Sequence, residues 1–145
     1  TLEILDSGNT RHRIRLQGID APERGQAYSS RSRQALAKIV FKKTVRITTE
    51  GEDIYGRTLG QVYYADLWVN REMVRTGMAW HYAYFSSDRR LADSELEARA
   101  ARAGLWADPD PVPPWIFRRQ DQAGKESRRI PSPNPAENKD DHAKP

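Results

Sequence analysis

Arg15-Leu-Gln-Gly-Ile-Asp20-Ala-Pro-Glu23 places an arginine, an aspartate and a glutamate within nine residues, where an alternating strand runs into a proline turn. Such a trio could hold a cation, activate a water and neutralise a phosphate at one point in space. Tyr55-Gly56-Arg57 offers a second arginine at the start of another strand. Phosphodiester hydrolysis needs a base to take a proton from water, positive charge on the equatorial oxygens, and a stabilised leaving oxygen. Glu23, held off the strand end by Pro22, is the candidate base, acting directly or through a water. Asp20 is a hard oxygen ligand suited to calcium or magnesium, and the Ala21 carbonyl is a second oxygen beside it. Arg15 and Arg57 can each fork two donors onto phosphate oxygens, which lysine cannot do.

Each residue also has an ordinary reading. Asp-Ala-Pro-Glu is a common turn, with the aspartate accepting backbone hydrogen bonds and the glutamate leading a helix start. An arginine in an exposed row is usually a solvated face. It is the combination with Tyr-Gly-Arg that favours chemistry. The aromatic group Trp80, Tyr82, Tyr84 and Phe85, together with Tyr55, could stack bases or contact a terminal phosphate. Trp80 is expected in the core. His81 has no second histidine near it and reads as a hydrogen-bonded structural residue rather than a zinc ligand. Asp53 reads as a turn residue.

The 145 residues suffice for one domain with a real core. The charged content of 30% is unevenly spread: residues 118–145 hold four prolines, seven basic and five acidic residues, and one large aliphatic, Ile130. That segment is expected to be a disordered tail, because it cannot bury enough apolar surface to offset its ordering entropy. Residues 1–117 form the folded unit. The net charge of +4 favours an acidic partner, nucleic acid before an anionic membrane. No run of 18 apolar residues is present to span a bilayer. Without cysteine there are no disulfides, thiolate metal sites or cysteine nucleophiles. The chain opens at Thr1 without a signal peptide or methionine, so a leader is expected to have been removed or left out.

Positioning falls to short elements. Residues 2–5 and 11–19 read as a hairpin around Asp6-Ser-Gly-Asn9. Arg11, Arg13, Arg15 and Gln17 share one face of its second strand. Arg15 and Asp20 would lie on opposite faces of a regular strand, so Gly18 must supply a bend that brings them together. A helix over 27–42 follows, with Ala35, Leu36, Ile39 and Val40 on one stripe. Strands are expected around Val45–Ile47, over 57–65 and over 67–69. Asn70 should cap a short helix closed by Gly77. Residues 79–85 read as extended, and Ser86 or Ser87 as the cap of a last helix running to about Ala103. The count suggests an α+β domain on a curled antiparallel sheet, and a five-stranded barrel of the oligonucleotide-binding type fits it.

These pieces resemble the staphylococcal (micrococcal) nuclease family. The resemblance rests on residues 15–23, Asp53-Ile-Tyr-Gly-Arg57, Val69-Asn70 with Val74-Arg-Thr-Gly77-Met-Ala79, and Ser94-Glu-Leu-Glu-Ala-Arg99 leading into Gly104-Leu-Trp106. They occur in the family's order and cover about residues 1–117. The resemblance implies an oligonucleotide-binding barrel with three helices, an exported (secreted or periplasmic) monomer, and calcium-dependent cleavage of DNA and RNA to products ending in a 3′-phosphate. By position, Arg15 and Arg57 would stabilise the pentacoordinate phosphate, Glu23 would be the general base, and Asp20 with the Ala21 carbonyl would bind calcium. Tyr55 would sit near the phosphate pocket. Tyr82 and Tyr84 lie near the family's later tyrosine pair, although the register places Ala83 and Phe85 at the matching positions. The family's first strand ends in Asp-Gly-Asp-Thr, and its second aspartate is a calcium ligand. This chain begins at the threonine, so a truncated first strand and weak calcium binding are expected. The competing reading is a nuclease-fold module that binds nucleic acid or a protein partner without cutting.

Overall fold

The computed structural model describes residues 1–129. Strand β1 (Leu2–Leu5) and strand β2 (Arg11–Leu16) form the expected antiparallel hairpin. Its turn is closed by Asp6, whose Oδ1 accepts from the Gly8 and Thr10 N–H groups at 2.8 and 2.9 Å. Strand β3 (Ile19–Asp20) follows at once, then helix α1 (Ser29–Val40), strand β4 (Arg46–Glu52), strand β5 (Thr58–Tyr64) and strand β6 (Leu67–Trp68). Helix α2 (Val69–Arg75), strand β7 (Trp80–His81), helix α3 (Arg89–Ala100) and a 3-10 turn at Gly104–Ala107 come next. Helix α4 (Pro114–Arg129) closes the described chain.

The main sheet has five strands: β1, β2, β5 and β4 in that order, with β6 also paired to β5. It is not wholly antiparallel as expected. β2 runs parallel to β5, with Ile14 opposite Thr58 and Arg15 opposite Leu59. Two helix-free hairpins cannot give that pairing; it needs the long crossover through α1 that the chain supplies. β3 and β7 make a separate two-stranded ribbon. The core joins Ile14, Leu16 and Ile19 to Val62, Val69, Met73, Val74 and Leu91, and the α1 stripe Ala35, Leu36, Ile39 and Val40 packs against it. A second cluster holds Trp80, Ala98, Leu105 and Trp106, with Trp115 against it.

Three local expectations are corrected. Asn70 does not cap α2: the helix has already begun at Val69, and the buried Asn70 side chain satisfies backbone groups of other segments. Its Oδ1 accepts from the Val62 N–H at 2.9 Å, and its Nδ2 donates to the Gln17 and Gly60 carbonyls at 2.9 and 3.2 Å. Asp88, rather than a serine, caps α3 by accepting from the Arg90 N–H at 2.9 Å. Only Trp80–His81 of residues 79–85 is strand; the chain then turns, with the Phe85 N–H bonded to the Tyr82 carbonyl.

The largest correction concerns the tail. Residues 118–129 belong to α4, a fourth helix, while residues 130–145 of the expected tail lie outside the described residues. Pro114 opens the helix at the one position where a missing N–H costs nothing. Trp115, Ile116 and Phe117 give it a half-buried first turn. Beyond that turn the helix is almost wholly exposed and buries little, in keeping with its composition; its anchor lies at its base. Among the described residues no helix is long and apolar enough to cross a membrane.

Candidate active site

Gly18 makes the bend the site depends on. Its φ of +81° is a left-handed conformation that a side chain disfavours, and an added Cβ would stand 2.8 Å from Leu91 Cδ1. The chain swings there from β2 into β3, and the Tyr82 N–H bonds the Gly18 carbonyl at 2.9 Å. Arg15 and Asp20 consequently share a side: Arg15 Nη2 lies 3.7 Å from Asp20 Oδ1. Arg15 Nη1 also donates to the Leu16 carbonyl at 2.7 Å, which fixes the plane of the guanidinium. Burial lowers the Arg15 pKa from its ordinary value against the pull of Asp20, and the charges of Arg57 and Arg118 lower it further.

Arg57 is held from behind. Asp53 Oδ1 accepts from the Tyr55 and Arg57 N–H groups, both at 2.9 Å, and Oδ2 accepts from Arg57 Nε at 2.7 Å. Asp53 is thus the expected turn residue and also the clamp on Arg57, a role the sequence reading missed. The Asp-x-x-x-Arg spacing was the available signal. Arg57 Nη1 reaches Thr1 Oγ1 at 3.1 Å. The charges of Arg57 and Arg118 also reach Arg15. Arg15 thus lies beside Asp20 and within reach of the Arg57 charge.

Glu23 sits on the loop after Pro22, its side chain partly exposed. The Glu23 N–H donates to Gln26 Oε1 at 2.9 Å, and Gln26 Nε2 donates to the Val112 carbonyl at 2.5 Å. Gln26 thereby ties the Glu23 loop to the proline-rich segment that leads into α4.

The unanticipated member is Arg118, in the second turn of α4. Its Nη1 donates to Asp20 Oδ1 at 3.1 Å and to Glu23 Oε1 at 2.5 Å, and its Nη2 donates to Asp20 Oδ2 at 2.8 Å. These bonds, to Asp20 first and then Glu23, raise the Arg118 pKa above its ordinary value against the cost of burial, so the guanidinium stays charged. Trp115 positions it, packing edge-on against Trp80 at 5.4 Å and Tyr82 at 5.2 Å. The only sequence signal was the apolar run Trp115-Ile-Phe117 just before it.

The donors of this arrangement do not fit a calcium ion. Among the described residues no three acidic or histidine side chains are grouped to hold a metal. The two carboxylates present, Asp20 and Glu23, are bridged by a guanidinium that takes both oxygens of Asp20. Calcium seeks six to eight oxygens.

The aromatic residues divide. Tyr55 is exposed, with the Arg57 guanidinium 5.6 Å from its ring centre. Tyr84 is exposed 6.0 Å from Trp115. Tyr82 is wedged, stacked on Phe85 at 4.9 Å and edge-on to Trp115. Trp80 is buried as expected, and His81, also buried, has the expected hydrogen-bond partner, its Nε2 lying 3.1 Å from Ser86 Oγ.

A family model described as staphylococcal nuclease homologue matches residues 13–108, a span that includes Arg15, Asp20, Glu23, Asp53 and Arg57. The chain belongs to the staphylococcal nuclease family. It is 43% identical over 130 residues to a micrococcal nuclease of Shigella flexneri, covering 82% of this chain and 74% of that one. It is 48% identical over 119 residues to an uncharacterized endonuclease of Escherichia coli O157:H7, covering 81% and 77%. An uncharacterized endonuclease of Haemophilus influenzae is 43% identical over 122 residues, covering 84% and 68%. Within this staphylococcal nuclease domain, the family match ends before α4, so Arg118 lies outside the matched span.

Proposed function

We propose that this chain, a nuclease by family, hydrolyses phosphodiester bonds of DNA and RNA at the point framed by Arg15, Glu23 and Arg57, leaving a 3′-phosphate. What supports the reading is that Arg15 on β2 lies beside Asp20, that Arg118 ties Asp20 to Glu23 on the loop after β3, and that the charge of Arg57, at the turn before β5, reaches Arg15. Glu23 takes a proton from water, whose oxygen attacks phosphorus while the bond to the 5′ oxygen breaks. Arg15 and Arg57 meet the charge that grows on the equatorial oxygens, each offering paired N–H donors at a fixed orientation. Tyr55 and Tyr84 provide exposed rings on which bases can stack; Tyr82 shapes the wall behind them. The oligonucleotide-binding barrel is the architecture this family membership supports for the five-stranded sheet. Calcium is the ion the family reading calls for, at Asp20 and the Ala21 carbonyl, but the described residues gather no full ligand set for it, and the hydrolytic roles fall to Arg15, Glu23 and Arg57.

A binding module without catalysis is the second reading. One observation favours it: Arg118 neutralises both Asp20 and Glu23. Plasmid digestion by the parent and by Glu23→Gln, with and without calcium, separates the two. Cleavage that falls about 10²-fold or more in the variant, with DNA binding retained, supports hydrolysis at this site. Equal cleavage by parent and variant removes Glu23 from the chemistry.

A further inference from the structure

We infer that Arg13 and Arg11 continue the site along β2 as a track for the backbone of a single-stranded polynucleotide, gripping the phosphates beside the one that is cut. The inference rests on the hydrolytic reading above and adds where its substrate lies.

The period of a strand dictates the row. Alternate residues of β2 face one way, so Arg11 and Arg13 stand on the side of Arg15 while Ile14 and Leu16 fill the core. Successive members of the row are about 7 Å apart, twice the rise of one strand residue. That is close to the step between phosphates on an extended single strand. Arg15, the innermost, is half-buried, whereas Arg13 and Arg11 are exposed. The row therefore leads from the site out into solvent.

Charge sets the occupant. Arg15, Arg57 and Arg118 each face a carboxylate. Among the described residues neither Arg11 nor Arg13 makes an ion pair. Glu3, opposite Arg13 on β1, is exposed and does not bond it. Arg13 Nη2 instead donates to the Tyr55 carbonyl at 2.6 Å, which leaves Nη1 and Nε for a ligand. That bond sets Arg13 beside Tyr55, whose ring is exposed, so a base stacked there has a guanidinium at hand for its phosphate. Two uncompensated guanidinium groups in line with a phosphate-binding arginine fit a polyanion. A single straight row fits one strand rather than two.

The salt dependence of binding tests the track. The probe is a short phosphorothioate oligothymidylate, which keeps the charge of a natural strand and resists cleavage. Its affinity is measured by fluorescence anisotropy from about 50 to 200 mM salt, for the unmodified chain, Arg11→Gln, Arg13→Gln and Arg33→Gln. Each β2 variant should flatten the plot of log affinity against log salt by about 0.7, and the double variant by about twice that, as phosphate contacts are lost. Arg33, an exposed arginine of α1, changes the net charge equally and should leave the slope nearly unaltered. Arg11→Gln breaks no side-chain bond among the described residues, so its slope decides the matter even where Arg13→Gln disturbs the Tyr55 turn. A slope unchanged by Arg11→Gln overturns the inference, as does an equal flattening from Arg33→Gln, which makes the attraction diffuse. A larger change on duplex DNA than on the single strand overturns the single-stranded occupant. The nuclease reading fails separately: flattened slopes in a chain that never cuts DNA leave the track standing and remove hydrolysis.

Discussion

Asp53 grips Arg57 twice, at its backbone N–H (2.9 Å) and at Nε (2.7 Å), and leaves the outer nitrogens of the guanidinium aimed away from the clamp. The same carboxylate closes the turn through the Tyr55 N–H. One short side chain thus both shapes the Tyr-Gly-Arg turn and orients the arginine on it.

Asp53→Asn separates the two tasks. The amide oxygen keeps the backbone bonds, but the amide nitrogen cannot accept from Nε. The melting temperature should change little, while kcat falls about tenfold or more with KM less affected. An equal loss from Asp53→Asn and Asp53→Ala in stability as well as rate would reduce Asp53 to a turn residue.

Acidity should release that clamp. Burial would raise the Asp53 pKa, but the hydrogen bonds from Arg57 and Tyr55 outweigh it and hold the carboxyl below its ordinary value. A depressed folded pKa stabilises the fold fully above the unfolded value of about 4 and loses that stabilisation as pH falls through the folded value. The stability difference between parent and Asp53→Asn should be flat from about pH 5 to neutrality and shrink in stronger acid. A difference that grows as pH falls would reverse the assignment.

Asn70→Ala should unfold the chain at markedly lower denaturant. Three backbone groups of β5 and the β2–β3 bend lose a buried partner at once, a cost of about 3 kcal/mol or more. Asn70→Asp, which retains only the acceptor and brings charge beside two carbonyls, should be no better. A loss near zero in urea titration would show that water replaces the amide.

Gly18→Ala tests the bend. The left-handed backbone costs about 1–3 kcal/mol in any other residue, and the added methyl presses on Leu91. Cleavage should fall further than stability alone explains, because Arg15 and Asp20 are brought to one side by this residue. Full activity in the folded fraction would uncouple the bend from the site.

Much of this was legible beforehand. The Arg15–Gly18–Asp20 relation follows from the period of a strand: an odd spacing puts two residues on opposite faces unless a glycine interrupts. The α1 stripe and the hairpin turn at Asp6 were equally local. The parallel pairing of β2 with β5 was not, because nothing in either strand encodes the direction of a partner beyond a crossover. Asn70 was misread because the residues that favour helix caps also bridge buried backbone. Its partners lie on other segments and leave no mark nearby. Arg118 was hidden for a similar reason. Its polar surroundings argue for an unstructured tail, and only the contact of Trp115 with Trp80 reveals that the helix is anchored.

Arg118 meets Asp20 across 98 positions of chain, and the strand beside Arg57 joins its partner only after a long crossover. During synthesis, Asp20 and Glu23 leave the ribosome well before the segments that complete their surroundings. A growing polypeptide carries the ingredients of a phosphate-cutting centre in unassembled form. The centre is complete only once α4 has been made and docked, and Arg118, the last to arrive, closes over the carboxylates.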